Sequence, residues 1–151
     1  MIAGALALRN AVAGRLRSIT GMREAAGVLG PEFEAKQVID RSFTIFLGSE
    51  ADAGGRTRTD GSLFVSREFS VRIAHKINAA RNAVALEQAY KDADAVKRVL
   101  LGHVEDAYTP CEPHTAFLGA DEPELIGGGA FLLTISRWRT RYRFSIEPLP
   151  G

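Results

Sequence analysis

Between residues 130 and 147, four arginines recur at every second position. Arg137, Arg139, Arg141 and Arg143 hold one parity, and Trp138, Tyr142, Phe144 and Ile146 hold the other. A period of two is the mark of a strand whose faces meet different surroundings. The chain must therefore build a sheet with one apolar face and one face that tolerates guanidinium groups. Pro148 and Pro150 end the strand, because proline lacks the N–H that a ladder needs.

The rest of the chain supplies elements to pack on that strand. Residues 2–20 read as a helix, with Leu8, Val12, Leu16 and Ile19 on one stripe and Arg9, Arg15 and Arg17 off it. Residues 38–47 alternate Ile39, Phe43, Ile45 and Leu47 with Asp40, Ser42 and Thr44. This predicts a half-buried strand in which Arg41 breaks the apolar side. Residues 48–62 are nearly devoid of apolar side chains and predict a long mobile loop carrying Arg56 and Arg58. A second strand follows at 63–77, with Phe69, Val71 and Ile73 facing one way and Glu68, Ser70 and Arg72 the other. Residues 79–102 form the best helix. Ala85, Ala89, Ala93, Val96 and Leu100 make its inner stripe, and Lys91, Asp92, Asp94 and Lys97 lie mostly outside. Pro110 and Pro113 keep 103–129 irregular, apart from a short strand at 114–118 and a turn at Gly127–Gly129.

This order predicts a single α+β domain over residues 1–151. Its sheet is mostly antiparallel, of about four strands, with two main helices packed on one face. The expected core is Phe43, Ile45, Phe69, Val71, Ile73, Trp138, Tyr142 and Phe144 against Leu8, Val12, Val96 and Leu100.

Composition narrows the function. With 46% apolar residues among 151, the chain can bury a core and is not globally disordered. Its net charge of +1 excludes a simple polycation, although 15 of its 19 cationic side chains are arginine. One cysteine, Cys111, excludes an intrachain disulfide scaffold and suits a reducing cytoplasm. The alanine-rich start lacks the basic region of a signal peptide, and no apolar run reaches membrane-spanning length.

Neighbours of like charge about 7 Å apart along a strand repel unless compensated. Glu68 and Asp40 are the expected compensating groups, too few for four arginines and Arg72. Three readings fit the excess. It is a solvated face with local salt bridges, a subunit interface using arginine–carboxylate forks, or a nucleic-acid surface. His103, Glu105, Asp106, Cys111, Glu112 and His114 crowd one loop, but no zinc-ligand spacing or nucleophile–base pairing supports more than a polar loop there. Gly54-Gly55 and Gly127–Gly129 lack the Lys-Ser/Thr and following helix of a phosphate loop. No catalytic residues, metal or cofactor are expected.

The organisation of five segments resembles the tail terminator proteins of long-tailed bacteriophages and the related head–tail joining proteins. They are ALALRNAVAGRLRSI (5–19), VIDRSFTIFLGS (38–49) with its polar loop, REFSVRIAH (67–75), AVALEQAYKDADAVKRVLLG (83–102) and FLLTISRWRTRYRFSIEP (131–148). The resemblance covers most of the chain and carries no diagnostic motif. It implies a structural, non-enzymatic protein of the virion tail or neck, made in the bacterial cytoplasm. Such a protein forms a hexameric ring on the tail tube protein, ends tube polymerisation and faces the head–tail connector, with DNA passing through the lumen. The resemblance carries over no functional residue; the arginine face and the polar loop themselves make Arg56, Arg58, Glu68, Arg72, Arg137, Arg139, Arg141 and Arg143 the expected interface residues. A head–tail joining protein of another kind and a nucleic-acid-binding module remain the alternatives.

Overall fold

The computed structural model describes residues 4–25, 39–52, 62–77, 82–101 and 115–145. Two helices and six strands occur among them: α1 (Ala5–Arg17), β1 (Arg23–Glu24), β2 (Ser42–Asp52), β3 (Ser62–Lys76), α2 (Asn82–Leu101), β4 (Ala116–Ala120), β5 (Glu124–Ile126) and β6 (Phe131–Ser145). The class is α+β, as the patterning requires. The expectation of about four antiparallel strands is corrected to a mixed sheet of six. Its order is β1-β2-β3-β6-β4, with β5 also on β6, and β1 runs parallel to β2. The missed strands are β1 and β5, two and three residues long and too short for any periodicity to register, whereas β4 is the short strand expected at 114–118, placed at Ala116–Ala120.

β3 and β6 form the spine. They pair antiparallel along their whole length, from Ser62 opposite Ser145 to Lys76 opposite Phe131. Their register sets Phe69 opposite Trp138 and Val65 opposite Tyr142, so the apolar parities of both strands share one face. Both helices cover that face. Leu8, Val12 and Leu16 of α1 and Val96 and Leu100 of α2 join Phe43, Ile45, Phe69, Val71, Ile73, Trp138 and Tyr142 in one buried cluster. Burying each large apolar side chain contributes about 1.5–3 kcal/mol, so this cluster dominates stability. All of the expected core is there except Phe144, whose side chain lies outside the described residues.

Three boundaries move for local reasons. α1 ends at Arg17, short of residue 20, because the Ser18 hydroxyl and N–H both donate to the Arg15 carbonyl and the chain then turns at Gly21. β2 runs on to Asp52 past a bulge after Leu47, correcting the loop expected from residue 48. A ladder uses backbone groups, so the polar segment Glu50–Asp52 pairs with Val65–Arg67, and Arg67 reaches Glu50 at 2.5 Å. Residues 53–61 of that expected loop, with Arg56 and Arg58, lie outside the described residues. The irregular stretch after α2 contains β4 and β5, and Phe117 of β4 packs on Trp138 at 5.1 Å. His103, Cys111 and His114 lie outside the described residues. No helix among the described residues is long and apolar enough to cross a membrane.

Candidate functional site

β6 is an interior strand, so its second parity emerges in the middle of the face that carries neither helix. The register sets Arg141 opposite Ser66, Arg139 opposite Glu68, Arg137 opposite Ser70 and Ile135 opposite Arg72. Arg72, Arg137, Arg139 and Arg141 therefore share that face with Glu68, as the alternation predicts. Arg143 continues the strand opposite Phe64.

Each guanidinium has a different setting. Arg137 donates to Asp121 at 2.6 Å, from the segment joining β4 to β5. Arg139 is exposed and faces Glu68, whose carboxylate also accepts from the Ser49 hydroxyl at 3.3 Å. Arg72 lies 5.0 Å from the Phe46 ring centroid and Arg141 5.7 Å from that of Phe64. Such cation–π contacts are worth about 0.5–1 kcal/mol at exposed sites. Along β6 itself the arginine parity carries no aromatic residue between 135 and 143. The register supplies two, because Phe46 and Phe64 come onto the same face from β2 and β3. Asp40 is not a compensating group: its carboxylate accepts the backbone N–H of Lys76, and Asp121 takes its place beside Arg137.

Magnitudes decide how the ladder survives. Two unit charges about 7 Å apart in bulk water repel by roughly 0.6 kcal/mol, and salt screens part of that. The exposed ladder is thus tolerable in water. Covered by a partner without anions it would be costly, since removing charge from water costs several kcal/mol per ion. On this face Arg137 pairs with Asp121, Arg139 lies opposite Glu68 in register, and Glu124 of β5 stands further along it opposite Leu133. The face therefore suits an anionic surface. Its other end is different: Ala74, Phe131 and Leu133 are buried there with Ile126 of β5, so the basic half abuts an apolar, already covered half.

A second polar cluster lies under the helices. Asp92 of α2 was expected outside; it is 2% exposed. Its Oδ1 accepts from Arg41 Nη2 at 2.8 Å and Gln88 Nε2 at 2.9 Å. Its Oδ2 accepts from Arg41 Nε at 3.0 Å and meets His75 Nε2 at 2.7 Å. Burial pushes the Asp92 carboxyl up, but hydrogen bonds from His75, Arg41 and Gln88 outweigh it and hold it down at about 2. The same hydrogen bond raises Arg41 above the usual arginine range. An ionised Asp92 only accepts, so His75 donates to it through Nε2–H. Both carboxylate oxygens already take two hydrogen bonds, which leaves no lone pair for a substrate proton. The cluster clamps the start of β2, the end of β3 and the middle of α2.

That clamp had a legible signal. His75 extends the buried parity of Phe69, Val71 and Ile73, and Arg41 that of Phe43 and Ile45. Asp92 sits between Ala89 and Val96 on the buried stripe of α2. Three polar residues, each on the inner side of its own element, are the pattern of a shared buried partner. Neither cluster has a counterpart to transfer from: no family model matches the chain, and no curated protein matches it.

Proposed function

We propose that this chain is a structural protein of a long-tailed bacteriophage virion, of the tail terminator kind. Copies of it form a closed ring, of six by the resemblance, on the last ring of the tail tube. The ring ends tube polymerisation and presents its far side to the head–tail connector, with DNA passing through the lumen. The observation that carries the reading is the arginine face: a helix-free sheet surface with more guanidinium than carboxylate, set to receive an acidic surface of a neighbouring subunit. The order of elements along the chain supports it, because it follows the five segments on which the resemblance rests.

Light scattering and negative-stain imaging of the purified chain, alone and with isolated tail tubes, test the proposal. Rings in solution or on tube ends are expected. A chain that is monomeric at every concentration and leaves tube length unlimited overturns it.

The stacking of Arg72 on Phe46 favours one second reading, a surface for single-stranded nucleic acid, where aromatic and guanidinium planes stack on bases. It requires affinity for a labelled oligonucleotide that falls with salt. No binding at low salt removes that reading and leaves the ring intact.

A further inference from the structure

α2 buries one stripe and shows the opposite one. Ala85, Ala89, Asp92, Val96 and Leu100 face inward. On the far side its outermost line runs Val84, Glu87, Lys91, Asp94, Arg98 and Leu101, in alternating steps of three and four residues. That is the a and d spacing of a helix that packs lengthwise on a second helix. No described element covers the line. Val84 is 62% and Leu101 43% exposed, and the four charged side chains between them are exposed as well.

The chemistry of this line is its own complement. From the N-terminus it runs apolar, acidic, basic, acidic, basic, apolar, and from the C-terminus apolar, basic, acidic, basic, acidic, apolar. An antiparallel copy therefore meets Val84 with Leu101, Glu87 with Arg98 and Lys91 with Asp94. Each pair is equidistant from the midpoint between Asp92 and Ala93, so all form in one alignment, twice over about a two-fold axis. A parallel copy in register would set Glu87 on Glu87 and Lys91 on Lys91, like on like. Within the chain, Lys91 reaches Glu87 at 3.2 Å and Lys97 reaches Asp94 at 3.9 Å. Exposed pairs of this kind contribute little, so the same carboxylates can share their protons' donors across the axis at small cost.

We propose that α2 pairs antiparallel with α2 of a second copy, through ion pairs at its centre and apolar contacts at its two ends. The contact lies on the helix side of the sheet and leaves the arginine face open, so it is independent of the ring reading. One pair of helices is a small interface, so the association is reversible and weakens with salt.

Charge reversal tests it in the full chain. Sedimentation at low salt is run in an Arg139→Ala background, where the arginine face contributes least. Glu87→Lys sets a cation against Arg98 of the second copy and is expected to weaken the dimer by about tenfold or more. Adding Arg98→Glu to the same chain restores opposite charges and is expected to return the wild-type affinity. Positions 87 and 98 lie about 16 Å apart along one helix, so that recovery arises between chains and not within one. A Glu87→Lys chain that dimerises as before, or a double variant that fails to recover, overturns the proposal. Cross-linking tests the alignment in chains whose native thiol is removed by Cys111→Ser. Val84→Cys and Leu101→Cys chains, distinguished by mass, are expected to give a mixed disulfide on mild oxidation. Neither is expected to link to itself, because like positions lie about 25 Å apart along an antiparallel pair. A disulfide joining two copies at position 84 reports a parallel pair and overturns the proposal, as does a chain with no dimer at low salt.

Discussion

Arg41 and Arg139 belong to the same sheet and have opposite fates. Arg41 reaches under the helices, where Asp92 accepts from its Nε and Nη2 at 3.0 and 2.8 Å in a site 2% exposed. Arg139 stands on the open face, opposite Glu68 and in water. Burial of Asp92 makes the first pair expensive to break, because without Arg41, itself 21% exposed, the carboxylate would be a charge stranded away from solvent. Exposure makes the second juxtaposition, a register neighbour with no ion pair formed, nearly worthless to the fold and leaves its charge available to a partner. The arginine tied to buried Asp92 therefore fixes the architecture, and Arg139 on the open face remains for assembly. Each experiment below pushes on one side of that contrast.

The largest effect is expected from Asp92→Asn. The variant strands Arg41 beside a neutral amide and replaces an acceptor facing His75 with a group that donates on one side. Breaking one partner of a buried pair costs about 3–5 kcal/mol. Chemical denaturation should show that loss, with the slope on denaturant unchanged. A loss below about 1 kcal/mol would mean that the clamp carries no more than a surface pair.

Acid titration probes the same clamp without a mutation. The Asp92 carboxyl is held at about 2, against about 3.9 for a free aspartate in the unfolded chain. A group whose pKa is depressed on folding contributes stability that is fully present above the unfolded value. That contribution is lost as pH falls from about 4 towards 2, and it amounts to roughly 2 kcal/mol. The stability of the wild-type chain should drop through that window, and Asp92→Asn should remove that part of the drop. Parallel acid curves for the two proteins would refute the assignment.

Gly21→Ala tests how tightly Arg41 is held. Gly21 has φ +82°, and a Cβ there would sit 2.2 Å from Arg41 Nη1. The left-handed backbone alone costs a non-glycine residue about 1–2 kcal/mol. Arg41 cannot swing aside freely, because two hydrogen bonds tie it to Asp92 and its own backbone has φ +60°. A destabilisation of about 2 kcal/mol is expected, shrinking in an Asp92→Asn background where the guanidinium is released. Full additivity of the two changes would show that Arg41 yields at no cost.

The contrast also explains what the sequence disclosed. Alternation located β3 and β6 and the stripe of α1, because a strand or helix half in water must sort its side chains by face. That sorting places Arg137, Arg139 and Arg141 together on one face from the sequence alone. It could not disclose β1 or β5, whose two and three residues are recruited by the ladder groups of β2 and β6, and it set β4 two residues early, at 114–118. It also misplaced Asp92, because a charged residue in a helix is ordinarily solvated. Only the joint position of Arg41 and His75 on buried parities shows that partners wait for it. Asp121 stayed hidden for the same reason as Phe46: its link to the ladder is set by strand order, which periodicity does not encode.

The smallest effect on the fold is expected at Arg139, and there the exposed half of the contrast is decided. Arg139→Ala and Glu68→Ala should each change stability by less than about 0.5–1 kcal/mol, since exposed opposite charges facing each other across two strands contribute little. Their double variant should show a coupling of similar size that vanishes at high salt, because screening acts fully on exposed charge. Self-association should respond differently to the two. Removing Arg139 takes away a cation that an acidic neighbour would meet, so association weakens. Removing Glu68 takes away the intramolecular competitor for that cation, so association holds or strengthens. A structural pair would show two losses of the same sign, whereas a surface kept for a partner shows opposite signs. Equal weakening by both variants, measured by sedimentation at matched salt, would place the pair with Arg41 and Asp92 on the side of the fold.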